Sequence, residues 1–222
     1  MREIVLDTET TGLNYKDDDR IVEIGCIELV NHVATGRTYQ TYINPERDVP
    51  SEAFQVHGLS REFLSLHPVF AGIFEDFLGF LGDSPLIIHN AEFDMGFLNA
   101  ELKRLNRPPL NMDRATDTVR LARRKFPGAQ ASLDALCRRF QIDLSERDLH
   151  GALKDARLLA EVYLELVGGR QPGLELSKAS RRDSVETGQR TARSPRPHAP
   201  SAEEEAAHGQ FIKALDSPIW NT

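Results

Sequence analysis

Cysteine is nearly absent from this chain of 222 residues: Cys26 and Cys137 are the only two, both in apolar surroundings and with no CxxC or CxxxxC spacing. A disulfide framework and a thiolate zinc site are thereby excluded, and two reduced core thiols of a cytoplasmic protein are expected. Long apolar runs are missing as well. No stretch approaches the roughly 20 apolar residues that a membrane-spanning helix needs, and Asp7 and Glu9 interrupt the start where a secretory signal would be apolar. The expected protein is soluble, with no membrane segment. Basic charge is also in deficit, with 27 Lys and Arg against 34 Asp and Glu, a net of −7. A stable duplex binder would show the opposite sign, so affinity for nucleic acid would have to come from a processive partner or from bound metals that cancel anions locally.

What is present suffices for one α/β domain of ordinary size and an extension, since 40% of the residues are hydrophobic. Strand-like runs at Glu3 to Asp7, Ile21 to Val30 and Arg37 to Ile43 come first, the last two separated by a short polar turn at Asn31-His32, which predicts an antiparallel meander. Phe70, Phe74, Phe77 and Leu81 recur at core-packing spacing in a helix over Val69 to Leu81. Strands then alternate with helices: Leu86 to His89, a helix carrying Phe93, Phe97, Leu98, Leu102 and Leu105, a short strand near Ala115 to Thr118, and helices near Ser132 to Phe140 and Ala152 to Val167. The predicted architecture is a mixed sheet covered by helices on both sides.

Three short acidic clusters punctuate that frame. IVLDTETTG, Ile4 to Gly12, places Asp7 and Glu9 at the end of a β-branched run followed by turn residues; the period of two sends both side chains to one face and Thr8 to the other. IIHNAEFD, Ile87 to Asp94, puts Asp94 in the first turn of a helix, where a carboxylate is also stabilised by the helix itself. HGALKDA, His150 to Ala156, sets Asp155 at the edge of an apolar helical stripe, with Gly151 expected to turn the chain tightly so that His150 reaches the same site. Each cluster is weak alone, because an Asp-x-Glu triplet arises about once by chance in so acidic a chain. Together they supply four carboxylates and an imidazole. Hard divalent cations take oxygen ligands, so this set predicts a two-metal phosphodiesterase centre with His150 as proton acceptor, a role open to an imidazole near neutral pH.

These clusters resemble those of the DEDD-type exonucleases, in their histidine-bearing branch, and the first roughly 167 residues look like that domain from end to end. Within the branch the chain is similar to the proofreading epsilon subunits of bacterial DNA polymerase III. EAFQVHGLS, Glu52 to Ser60, is similar to their substrate-contacting stretch, and SLDALC, Ser132 to Cys137, to the helix before their last motif. The resemblance implies an RNase H-like domain that removes nucleotides from a single-stranded or frayed 3′ DNA end. It implies Asp7, Glu9, Asp94 and Asp155 as ligands of two Mg²⁺ or Mn²⁺ ions, His150 as general base, and Glu52, His57, Glu9 and Asp155 against the terminal nucleotide. Lys154 departs from the family pattern, which has an apolar residue there. Taken without the resemblance, His57 reads equally as a packed loop histidine. Arg123-Arg124-Lys125 reads either as a phosphate contact or as a solvated helix end.

After Val167 the composition shifts. The expected division is a domain over 1–168, a linker over 169–201 rich in Ser, Arg, Pro, Thr and Gly, and a tail over 202–222. Gln171 to Leu176 resembles the sliding-clamp-binding hexapeptide of epsilon subunits, with Leu176 in place of an aromatic. Ala202 to Trp220 looks like the tail that docks on the alpha subunit of the polymerase; Phe211, Ile212, Leu215, Ile219 and Trp220 are types that anchor interfaces. Two other functions remain open on the residues alone: a free-standing RNase or oligoribonuclease with the same catalytic letters, and a non-catalytic adaptor between clamp and polymerase.

Overall fold

The computed structural model describes residues 1–145, 149–168 and 199–215, and the chain divides into two compact units, Met1–Glu175 and Leu176–Thr222. In the first unit the strands β1 (Arg2–Thr10), β2 (Ile21–Val30), β3 (Val33–Tyr42), β4 (Leu86–Ile88) and β5 (Ala115–Asp117) form one sheet of order β3-β2-β1-β4-β5. The first three make the antiparallel meander, while β4 and β5 run parallel to β1, as the long crossovers before them require. Asn31 and His32 both adopt positive φ, 51° and 68°, the conformation of a tight hairpin turn, so β3 begins at Val33 and not at Arg37. β1 also outruns its expected end at Asp7, continuing through Thr10 with an irregularity between Glu9 and Thr10.

Helices α1 (Ser51–His57), α2 (Arg61–Leu64), α3 (Phe70–Leu81), α4 (Ala91–Arg104), α5 (Thr118–Lys125), α6 (Leu133–Phe140) and α7 (Ala152–Val167) complete this unit. Strand alternation divides its core in two. Ile4 and Leu6 pack with Phe70, Phe77, Phe97 and Leu98 of α3 and α4, whereas Val5, Ile27 and Ile87 pack with Leu136, Leu159 and Val162 of α6 and α7. The sheet is thus covered on both faces, the RNase H-like arrangement that the sequence predicts. Cys26 and Cys137 are buried and free. Among the described residues no helix is long and apolar enough to cross a membrane.

The second unit contains α8 (Ala202–Lys213), opened by a capping box in which Ser201 and Glu204 each bond the other's backbone. Phe211 is exposed and Ile212 half-buried there. Ile219, Trp220, the hexapeptide 171–176 and nearly all of the linker lie outside the described residues.

Candidate active site

The site begins where β4 stops. β4 pairs with β1 at Ile4 and Val5, and β1 then runs on past the end of β4 while still laddered to β2, Asp7 opposite Gly25 and Glu9 opposite Glu23. Asp7 and Glu9 share the face of Val5, toward α7. Thr8 shares the face of Ile4 and Leu6, toward α4, and there its Oγ1 donates to Asp94 Oδ1 at 2.8 Å.

Asp94 stands in the first turn of α4 after Asn90, which is left-handed at φ 65°. It is buried, and that burial pushes its carboxyl up to about 7, against the opposing pull of the Thr8 hydroxyl and nearby backbone donors. α4 itself is pinned by a fork in which Arg20 Nε and Nη2 reach Glu101 Oε1 and Oε2 at 2.5 and 2.9 Å. Such bidentate pairing fixes orientation as well as distance.

α7 brings the remaining groups. Glu23 Oε2 accepts from the backbone N of Ala152 at 3.1 Å, a buried bond that caps the helix from β2. Gly25 allows this closeness, because a Cβ there would lie 2.3 Å from the carbonyl carbon of Ala152. Asp155, one turn along, is buried, and its Oδ2 lies 3.1 Å from Nδ1 of the half-exposed His150. The loop holding His150 is anchored by its backbone N, which donates to Val56 O of α1. Gly151 does not make the tight turn expected of it: at φ −163° and ψ 129° its backbone is extended, open to any residue, and the bond to Val56 sets the loop instead.

Asp7, Glu9, Asp94, His150 and Asp155 therefore converge. Ligand atoms of Glu9, His150 and Asp155 lie within 4.8 Å of one another. Burial raises the Asp7 carboxyl well above the ordinary carboxylate range, and the charges of Asp94, Glu9, Asp155 and Glu23 add to it. Asp7, His150 and Asp155 line a cavity of about 300 Å³ together with His89, Ser132 and Asp134. Anions gathered this closely call for a cation, and an oxygen-rich set with one imidazole and no thiolate fits hard divalent ions.

The structure treats Glu52 and His57 differently. Glu52 is exposed in the first turn of α1 and does not line that cavity. His57 is buried at the end of α1; its Nδ1 accepts from Leu59 N at 3.0 Å, while Nε2 has no hydrogen-bond partner among the described residues. Burial lowers its pKa, partly offset by the backbone of Thr10. Lys154 lines a separate cavity with Asp143 and Arg157. Sequence reasoning passed over Thr8 and Glu23. Alternation turned Thr8 away from Asp7 without showing that α4 packs on that side. A charged residue inside the apolar run Ile21 to Ile27 was the available signal for Glu23.

A profile of the family described as Exonuclease matches residues 4–163. The DNA polymerase III subunit epsilon of Rickettsia felis is 50% identical over 97% of this chain and 97% of its own length. That of Rickettsia prowazekii is 59% identical over 77% of this chain and 76% of its own. Among solved structures, the nuclease domain of 3′hExo, a DEDDh family member bound to rAMP, superposes with a TM-score of 0.65 at 18% identity, covering 75% of this chain and 91% of that one, a likeness of fold. With the profile spanning both faces of the sheet and half-identical relatives running the length of the molecule, the chain belongs to the exonuclease family as an epsilon-type subunit of DNA polymerase III, a 3′→5′ proofreading exonuclease.

Proposed function

We propose that this enzyme removes mispaired nucleotides from the 3′ end of DNA by phosphodiester hydrolysis, with Asp7, Glu9, Asp94 and Asp155 holding two divalent cations, Mg²⁺ or Mn²⁺. The observation that carries this reading is the convergence of those carboxylates with His150 at the C-terminal end of β1. Cations bound there supply the positive charge that offsets the scissile phosphate and acidify the attacking water. His150 takes the proton from that water; its half-exposed ring, hydrogen-bonded to Asp155, lies where solvent enters. Thr8 holds Asp94 in place, and Glu23 sets the first turn of α7 so that Asp155 faces Asp7. Glu52 and His57 contact the terminal nucleotide. Glu9 and Asp155 border the same nucleotide.

The substrate must bring one phosphate to the end of the sheet, which a paired terminus resists and a frayed one permits. Single-stranded or mismatched 3′ ends are therefore the preferred DNA, consistent with a net acidic protein that does not grip duplex. The enzyme works in the cytoplasm as a partner of the polymerase III alpha subunit, which the tail over 202–222 engages. The hexapeptide 171–176 adds a weak contact with the sliding clamp. The test is the rate of nucleoside monophosphate release from matched, mismatched and single-stranded 3′ ends of DNA and from short RNA, with and without chelator. Faster release from mismatched and single-stranded DNA, lost in chelator, is expected; equal or faster release from short RNA would favour an oligoribonuclease.

A further inference from the structure

A second cavity, polar and about 460 Å³ in volume, shares His89 and Ser132 with the cavity of Asp7 and His150. It lies past the ends of β4 and β5, and Arg120 and Arg123 of α5 stand in its wall. Three residues apart on a helix, they present their guanidinium groups on one face. Lys125, which the sequence groups with Arg123 and Arg124, is turned elsewhere: its Nζ donates to the last carbonyls of α7, those of Glu165 and Leu166, at 2.9 and 3.1 Å. Among the described residues the Arg123 side chain has neither an ion pair nor a hydrogen bond. Arg120 Nε is ion-paired with Asp117 Oδ2 at 3.6 Å, while Oδ1 of the same carboxylate caps α5 through Val119 N and Arg120 N and also accepts from Asn90 N. Glu92 is the other acid in the wall. The shared wall is fixed, since His89 Nδ1 lies 2.9 Å from Thr118 Oγ1, which in turn donates to Ile88 O.

We propose that this cavity binds the phosphodiester backbone of the substrate strand on the 5′ side of the scissile bond, with Arg123 and Arg120 as its phosphate ligands; this rests on the nuclease reading of the neighbouring carboxylates. The strand order supplies the direction. His57 lies near Thr10 at the end of β1, and α1 bonds to the His150 loop, whereas the arginines stand beyond β5 with β4 between. A strand whose terminal nucleotide rests against α1 and whose scissile phosphate meets the carboxylates must leave across β4, toward Arg123. Charge supplies the need. The catalytic carboxylates repel a polyanion along its approach, and guanidinium forks matched to phosphate oxygens offset that repulsion without reading sequence.

The test compares two substrates: a single-stranded oligonucleotide, and the p-nitrophenyl ester of thymidine 5′-monophosphate, which has no strand on the 5′ side of its scissile bond. Arg123→Ala is expected to raise KM for the oligonucleotide roughly tenfold, the effect of losing one charge-assisted hydrogen bond. It should lower the slope of log KM against log salt by about 0.7, uniformly across sequences. Kinetics on the ester should not change, and Arg123→Lys should restore part of the loss by keeping the charge. An unchanged KM and salt slope for the oligonucleotide, or an equal loss on the ester, overturns the proposal. Failure of the wild-type enzyme to hydrolyse either substrate overturns the nuclease reading beneath it.

Discussion

Asp94 shows how much of this site is decided at single residues. Its folded pKa of about 7 lies above the ordinary aspartate value of 3.8, so between those limits the folded, cation-free protein holds a proton that the unfolded chain has released. Stability then falls as pH rises through that window, and Asp7, shifted in the same direction, adds to the slope. In chelator, melting temperature should decline from mildly acidic to neutral pH, and Asp94→Asn should flatten the decline; parallel curves for the two proteins would refute this. Thr8 acts through Asp94. Removing its hydroxyl in Thr8→Val should weaken divalent-cation affinity by about 10- to 100-fold, read by calorimetry, as is usual when a ligand loses its outer partner. His150→Ala should lower kcat by about 10² to 10⁴ with little change in KM, the signature of a lost proton acceptor. A loss confined to KM would make His150 a binding residue instead.

At the scale of elements, the placement of α7 is the decisive event, and Gly25 is where it can be disturbed. A methyl group at Gly25 would meet the backbone of Ala152 at 2.3 Å, and backbone yields poorly. Gly25→Ala should therefore cost about 1 to 3 kcal/mol, the usual range for an overpacked core, and should lower kcat by displacing Asp155. A variant with unchanged melting temperature and rate would show that α7 has slack. Neither Gly25 nor Glu23 was legible in the sequence as a site residue, because both act through a contact between β2 and α7 that are more than 120 residues apart. That Asp7, Glu9, Asp94, His150 and Asp155 would come together was legible, since each stands near the end of a strand or the start of a helix that the sequence marks. The role given to Gly151 failed because a neighbouring element, α1, and not local backbone freedom holds the His150 loop. α8 had a readable start in Ser201 and Glu204, spaced as a capping box.

For the whole molecule, the proposed function assigns separable tasks to the two units. Phe211 is exposed on α8, and fully burying a side chain of this kind contributes roughly 1.5 to 3 kcal/mol, enough for a few such residues to anchor a partner. Deleting residues 202–222 should leave hydrolysis of free single strands intact and abolish co-purification with the polymerase alpha subunit. Retained binding at unchanged affinity would remove the tail from that role. The catalytic unit stands on a simpler claim, that converging carboxylates work only with divalent cations between them. Its most direct test is release of nucleoside monophosphate from a 3′-labelled single strand by the wild type and Asp7→Ala, titrated with Mg²⁺ or Mn²⁺ and then with excess EDTA. Activity that rises with cation in the wild type, vanishes in EDTA and is absent from the folded Asp7→Ala protein is the predicted result; full activity in excess chelator would contradict it.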